Sequence, residues 1–109
     1  MKLKKILIFL SVGLISIILT SFLWQKPVIL VIALIVLALV KHFLAPIKQG
    51  LILFVLSGFF GTLVESLVMP SGAWNYTQPH IFNIPLWLPF LWGITGICGI
   101  TLYQGLSEK

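Results

Sequence analysis

Residues 28–40 read VILVIALIVLALV, thirteen apolar side chains without interruption. A helix needs about 20 largely apolar residues to cross the ~30 Å hydrocarbon core of a bilayer, and this run with its flanks is long enough. On either side of it the sequence predicts three more spans. The four predicted helices cover about residues 6–24, 28–45, 51–69 and 86–106. We therefore expect an all-α, four-transmembrane-helix bundle, a polytopic membrane protein whose residues 1–109 form a single membrane domain.

The composition of the chain points to the same class of protein. Of its 109 residues, 60% are hydrophobic and 8% are charged, and the mean hydropathy is +1.16. Soluble proteins carry about 25% charged residues, and disordered segments are poor in the large apolar residues that are abundant here. Four spans with short connections leave no room for a soluble domain.

The positive charges lie at the ends of the apolar stretches. The formal net charge is +5, from seven lysines and two glutamates. The lysines form no stripe of the kind that binds nucleic acid, so we expect membrane lipid as a partner and no nucleic acid. If the N-terminus is cytoplasmic, only Lys26 lies on the outer side. The six lysines of the cytoplasmic side are then Lys2, Lys4, Lys5, Lys41, Lys48 and Lys109.

This asymmetry of charge predicts the orientation, because cytoplasmic loops carry the excess of lysine and arginine. We expect both termini in the cytoplasm and the long loop 70–85 on the outer side, in a bacterial inner (plasma) membrane. Lys41 lies near the end of the second span. Its long side chain is expected to snorkel to the interface.

Glu65 is the one carboxylate within a predicted span. Such a group is costly in lipid and is usually turned towards a protein interior or a wet cavity. Two interpretations stay open. Glu65 could carry a proton, act as a general acid or anchor a cation or polar ligand. Alternatively, it could be a structural carboxyl group that holds the outer loop onto the bundle.

Aromatic and polar side chains lie on the same predicted side of the membrane as Glu65. The indole of Trp92 falls deeper than an interfacial belt and needs an acceptor, for which Glu65 is a candidate. The rings of Trp74, Tyr76 and Trp87 are typical of an interfacial aromatic belt, with the lining of a pocket as the alternative. The candidate ligand-binding residues are Glu65, Trp74, Asn75, Tyr76, His80, Trp87 and Trp92. Glu65 is also the candidate catalytic residue.

Small residues predict where the third and fourth helices meet. They are Ser57, Gly58 and Gly61 on the third helix and Gly93, Gly96 and Gly99 on the fourth. Such residues let two backbones approach closely in lipid. We expect them to form the contact between these two helices, with a homodimer contact as the alternative use. Ser11, Gly13 and Ser16 are candidates for a similar contact on the first helix.

The sequence offers no cluster of metal ligands or nucleophiles. His80 and His42 fall on opposite sides of the predicted membrane, and Cys98 stands alone inside a span. We therefore expect no metal and no cofactor. A pair of Glu65 and His80 could act as an acid/base couple, whereas a lone loop histidine is otherwise simply solvated.

Residues 65–92 contain the pattern E…G-x-W-x-Y…P-x-W-x-P-x-x-W. This pattern resembles that of uncharacterised small bacterial inner-membrane proteins. It is also distantly similar to membrane carotenoid-cyclase domains, and that likeness implies acid catalysis on a polyene at Glu65. In length, helix number and membrane glutamate the chain resembles small multidrug-resistance transporters, although their glutamate lies in the first helix.

Three classes of function are compatible with these observations. The first is an accessory or lipid- or partner-binding protein with a polar-aromatic pocket around Glu65, acting with a homodimer partner or a larger membrane protein. The second is a dimeric proton-coupled transporter. The third is a membrane enzyme that uses Glu65 as an acid on a lipophilic substrate. We expect the first, and we do not expect an enzyme.

Overall fold

The computed structural model describes residues 2–68 and 84–108, and within them the chain folds into four helices. They are α1 (Leu3–Leu23), α2 (Pro27–Leu44), α3 (Gly50–Val68) and α4 (Leu88–Ser107). Every predicted boundary lies within three residues of the observed one. The predicted all-α membrane bundle is therefore confirmed.

Among the described residues, α1, α2 and α3 are long and apolar enough to cross a membrane. Their outer faces carry large apolar side chains, such as Phe22, Phe43 and Leu51, which are 79–81% exposed. In a membrane protein such apolar faces contact lipid, because the core of the bilayer consists of lipid tails and contains no water. Helix α4 is as long, with 20 residues, but alternates apolar residues with glycine and threonine.

Helix α4 lies at the centre of the bundle and contacts each of the other three helices, α3 most extensively. Its buried residues Ile94, Ile97, Thr101 and Gly105 recur every three or four positions, which places them on one face. Cys98 is buried on the same face, as expected of a small packing residue. The glycines of α4 have no side chain, so neighbouring helices can approach its backbone closely. This explains how one helix can pack against three neighbours.

Lys41 does not snorkel to the interface as expected, because it is 1% exposed. On α2 the buried residues are Leu30, Leu34, Leu37 and Lys41. This spacing of four, three and four residues continues one face of the helix through to Lys41. Lys41 is therefore buried in the bundle because it lies on the same face of α2 as the three leucines.

The two ends of the described chain lie together. The backbone N–H of Lys2 donates a hydrogen bond to the carbonyl oxygen of Gly105 over 2.6 Å, and Lys5 forms a 2.7 Å ion pair with Glu108. The turn between α2 and α3 lies at the same end of the bundle. We call this the lysine-rich end, because it contains Lys2, Lys4, Lys5, Lys41 and Lys48. The prediction that both termini share one side is compatible with this arrangement.

Pro89 lies in the first turn of α4. The predicted helix over 86–106 would have placed Pro89 a full turn inside, where it would bend the helix. Helix α4 instead begins at Leu88, with Trp87 as its N-cap residue. Proline is well accommodated in a first turn, because its missing N–H has no intrahelical partner there.

Gln49 has a left-handed backbone conformation, with φ of 55°, and its carbonyl oxygen accepts the hydrogen bond from the N–H of Leu53 that opens α3. A residue with a Cβ is strained in this region, whereas glycine is not.

We expect Gln49→Gly to raise the free energy of unfolding by about 0.5–1 kcal/mol, because it removes this strain. Thermal unfolding in detergent measures this. Gln25→Gly, in the other short connector, is the control and should not stabilise the protein.

Candidate functional site

Glu65 and Trp92 form the hydrogen bond that the sequence predicts. The indole Nε1–H of Trp92 donates to Oε1 of Glu65 over 2.9 Å, and both side chains are partly buried. The carboxylate thus has a neutral donor from the adjacent helix. A hydrogen bond to a charged group is stronger than one between neutral groups, so this contact fixes the side-by-side register of α3 and α4.

Gly61 makes room for this pair. A Cβ built at Gly61 would overlap the indole ring of Trp92, so only glycine lets the ring lie flat against α3. Gly61 is one turn before Glu65 on the same face of the helix. The ring therefore rests on Gly61 while its N–H reaches the carboxylate of Glu65.

The small residues of α3 and α4 meet largely as predicted. A Cβ on Gly96 would overlap Ser57, one on Gly58 would lie 2.6 Å from the carbonyl oxygen of Pro89, and one on Gly93 would lie 2.8 Å from the ring of Phe54. Gly99 is different, because a Cβ there would meet nothing within 4 Å.

The expected contact on α1 is only partly present. Gly13 has open space at the position of a Cβ. Ser16 is buried and donates to the Gly13 carbonyl oxygen. The prediction of a close helix contact at Gly13 is wrong.

The other predicted ligand-binding residues have different outcomes. Trp74, Asn75, Tyr76 and His80 lie outside the described residues. Trp87 is 8% exposed and belongs to the apolar core, so its ring packs inside the bundle. Of the seven predicted ligand-binding residues, the structure thus describes Glu65, Trp87 and Trp92.

A cavity of about 730 Å³ lies between α3 and the start of α4. We call it the α3–α4 cavity. Its lining residues are Phe54, Val55, Gly58, Phe59, Thr62, Leu63, Ser66, Leu67, Ile84, Pro89 and Phe90. Almost all of these are apolar, and Glu65, Trp87 and Trp92 are not among them. Lipophilic ligands are held in cavities of this size and character.

The cavity and the Glu65–Trp92 pair lie on two sides of the line along which α3 touches α4. Successive residues of a helix are about 100° apart, so Phe59 and Ser66 fall to one side of Gly58. By the same geometry, Gly61 and Glu65 fall to the other side. The α3–α4 cavity is therefore distinct from the Glu65–Trp92 pair, and a pocket around Glu65 stays a prediction.

Thr62 gives the cavity an unusual polar group. Its side chain is buried, and its Oγ1 has no hydrogen-bond partner among the described residues. The hydroxyls of Thr20, Thr95 and Thr101 each donate to the carbonyl oxygen four residues earlier in their helices. Leaving a buried hydroxyl without a partner costs about 1–3 kcal/mol.

Thr62 was not among the candidates identified in the sequence, although one signal pointed to it. Gly58 and Thr62 form a pair of small residues four apart on the helix face that contacts α4. Such a pair predicts close helix contact, but not that the hydroxyl stays free.

Within residues 2–68 and 84–108, no three histidine, cysteine, aspartate or glutamate side chains come together as metal ligands. The described carboxylates are far apart in the fold. Glu65 is bonded to Trp92 near the end of α3, and Glu108 is paired with Lys5 at the lysine-rich end. The described residues thus supply hydrogen-bonding groups and apolar walls for a ligand.

The chain is similar to part of a known protein. It is 36% identical over 66 residues to insulin-induced gene 1 protein of Bos taurus. The match covers 57% of this chain and 24% of that protein, so the chain spans about a quarter of the length of this curated relative. No family model matches the chain, and no solved structure matches it.

Proposed function

We propose that this protein is a lipid-binding membrane protein that holds a lipophilic molecule in the α3–α4 cavity. The ligand class is a largely apolar molecule with one hydroxyl or carbonyl group. The observation that carries this proposal is the buried, unpartnered Oγ1 of Thr62 in the wall of a cavity of about 730 Å³. Oγ1 itself is buried, so a rotation of the Thr62 side chain about χ1 would bring the hydroxyl to a ligand oxygen and give it the hydrogen bond that it lacks.

The rest of the cavity supports the same ligand class. Phe54 and Phe90 pack against each other, with ring centroids 6.4 Å apart, and both rings line the cavity. Aromatic and aliphatic walls favour a hydrocarbon skeleton and provide no counter-charge for an ion. The Glu65–Trp92 hydrogen bond holds α3 to α4 beside the cavity, which preserves its shape without occupying it.

The proposal is tested with a hexadecanol that carries a photoreactive diazirine, added to the protein in lipid nanodiscs. We expect crosslinks on α3 and on the start of α4, and we expect unlabelled hexadecanol to compete better than hexadecane. Thr62→Val keeps the shape of the side chain but removes the hydroxyl. It should weaken competition by hexadecanol about two- to tenfold, the usual contribution of one neutral hydrogen bond.

Thr95→Val is the matched control, because Thr95 is exposed and its hydroxyl is already bonded to the carbonyl oxygen of Leu91. It should leave competition unchanged. Ser66→Phe places a ring into the cavity and should reduce crosslinking itself. Equal competition by hexadecanol and hexadecane in every variant would show that no polar group in the cavity forms a hydrogen bond with the ligand hydroxyl. That result would contradict the proposal.

The transporter and enzyme hypotheses place the working group at Glu65 instead. Both predict that Glu65→Gln abolishes activity, whereas lipid binding in the α3–α4 cavity predicts that it leaves hexadecanol competition intact. The resemblance to carotenoid cyclases implies acid catalysis by Glu65, so it also predicts that Glu65→Gln abolishes activity. One variant therefore separates lipid binding from the other two classes.

We also propose that α4 is a fourth transmembrane span and that the lysine-rich end faces the cytoplasm of a bacterial cell. Support comes from the antiparallel course of four helices and from the lysines collected at one end. Labelling of single cysteines placed near Lys26 and near Lys48, from outside intact cells, tests the orientation. A homodimer or a larger membrane partner stays a prediction, which the mass of the solubilised particle tests.

A further inference from the structure

A second cavity, of about 330 Å³, lies at the lysine-rich end, on the other side of Phe54, which lines both cavities. Its walls come from α2, α3, α4 and the connector between α2 and α3. The polar side chains in its lining are Lys41 and His42, and the apolar ones include Leu39, Ile47, Leu51 and Phe54. We call it the lysine cavity.

Within residues 2–68 and 84–108, Lys41 is the largest side chain that is fully buried, and no carboxylate described there is close to it. Among the described residues its ammonium makes no ion pair or hydrogen bond. Glu108 is taken up by Lys5, and Glu65 lies near the opposite end of the bundle with Trp92. The sequence contains no other aspartate or glutamate.

An ammonium on a side chain that is almost wholly removed from water loses most of its hydration, which is unfavourable where no counter-charge replaces it. The position of Lys41 in the last turn of α2 offsets part of this, since the helix C-terminus carries partial negative charge. Lys5 also interacts with Lys41, but its own charge is balanced by Glu108. The uncompensated charge of Lys41 therefore favours an anion from outside the chain.

We propose that the lysine cavity binds one anionic phospholipid, with its phosphodiester beside Lys41 and part of an acyl chain against the apolar walls. The combination of one buried cation and apolar walls fits an anionic amphiphile better than a free ion. The lysine-rich end has the exposed lysines Lys2, Lys4 and Lys48, which attract anionic headgroups to this end of the bundle.

Native mass spectrometry of the detergent-solubilised protein tests the proposal. Phosphatidylglycerol and phosphatidylcholine with identical acyl chains are titrated separately. We expect one phosphatidylglycerol to bind with a preference of about tenfold or more over phosphatidylcholine, as for a hydrogen-bonded charge pair. Lys41→Met retains the length of the side chain without the charge, and it should bring the two lipids close to parity.

Lys48→Met is the matched control, because Lys48 is exposed at the same end. It should reduce the preference by about fivefold at most, the contribution of one lysine near an anionic surface. Equal effects of Lys41→Met and Lys48→Met would overturn the proposal and leave only general surface attraction. Displacement of the lipid by inorganic phosphate would overturn it too, since the ligand would then be a free ion.

Leu51→Trp tests the apolar part of the cavity independently of Lys41. Leu51 is 79% exposed yet lines the cavity, so a larger side chain narrows the opening without entering the core. We expect it to weaken phosphatidylglycerol binding while circular dichroism shows an intact helix content. If the folded Leu51→Trp variant binds as the wild type does, the acyl chain does not enter the lysine cavity and the proposal is wrong.

Discussion

Gly58→Ala is expected to lower the free energy of unfolding by about 1–3 kcal/mol, the usual cost of overpacking a tight contact. A Cβ at this position would lie 2.6 Å from the carbonyl oxygen of Pro89. That oxygen belongs to the backbone of α4, so no change of side-chain rotamer can relieve the overlap. The helices would have to separate at the contact that joins α3 to the bundle.

Gly99→Ala provides the control within the same pair of helices. A Cβ on Gly99 meets nothing within 4 Å, so the substitution adds helix propensity without a clash. It should stabilise the protein slightly, by up to about 1 kcal/mol. Unfolding of both variants by sodium dodecyl sulfate, followed by circular dichroism, gives the comparison. Equal stability of the two variants would mean that α3 and α4 are not closely packed at Gly58.

Trp92→Phe is expected to lower the free energy of unfolding by about 1.5–3 kcal/mol, the range for a hydrogen bond to a charged group. The substitution keeps an aromatic ring over Gly61 but removes the Nε1–H that donates to Glu65 over 2.9 Å. In a Glu65→Gln background the same substitution should cost about half as much, because the acceptor there is neutral.

The difference between the two backgrounds is the coupling energy of a double-mutant cycle, and it measures how much the charge of Glu65 strengthens the hydrogen bond. Trp24→Phe is the control, since Trp24 is also half-buried and lies in the connector between α1 and α2. Its loss should cost clearly less than the loss of Trp92. If Trp92→Phe costs the same in both backgrounds, the indole does not donate to a charged carboxylate; if it costs no more than Trp24→Phe in either, the hydrogen bond itself is absent.

Much of the architecture could be predicted from local patterns. The apolar run at 28–40 and its counterparts predicted the helices, because span length is set by the thickness of the bilayer. The pairing of Trp92 with Glu65 could also be predicted, since both groups need a partner in an apolar setting. The small residues correctly identified α3 and α4 as neighbours, because close approach of two backbones requires them.

Local patterns failed where the outcome depends on which neighbour a helix face meets. Gly96 and Gly99 look alike in the sequence, yet only Gly96 lies against Ser57. Thr62 resembles other helical threonines, but its hydroxyl remains without a partner in the α3–α4 cavity. Neither distinction can be read from composition or spacing.

For Lys41, two local patterns of the sequence led to opposite expectations. Its spacing from Leu30, Leu34 and Leu37 already placed it on the buried face of α2, while its charge suggested the membrane surface. Periodicity and hydropathy thus disagreed, and the packing of α2 in the bundle decided in favour of burial.

The sequence alone determined the helices, their lengths and the asymmetry of charge, because these depend on neighbours along the chain. Burial of one lysine, the free hydroxyl of Thr62 and the two cavities depend on contacts between helices, and only the tertiary structure decided them.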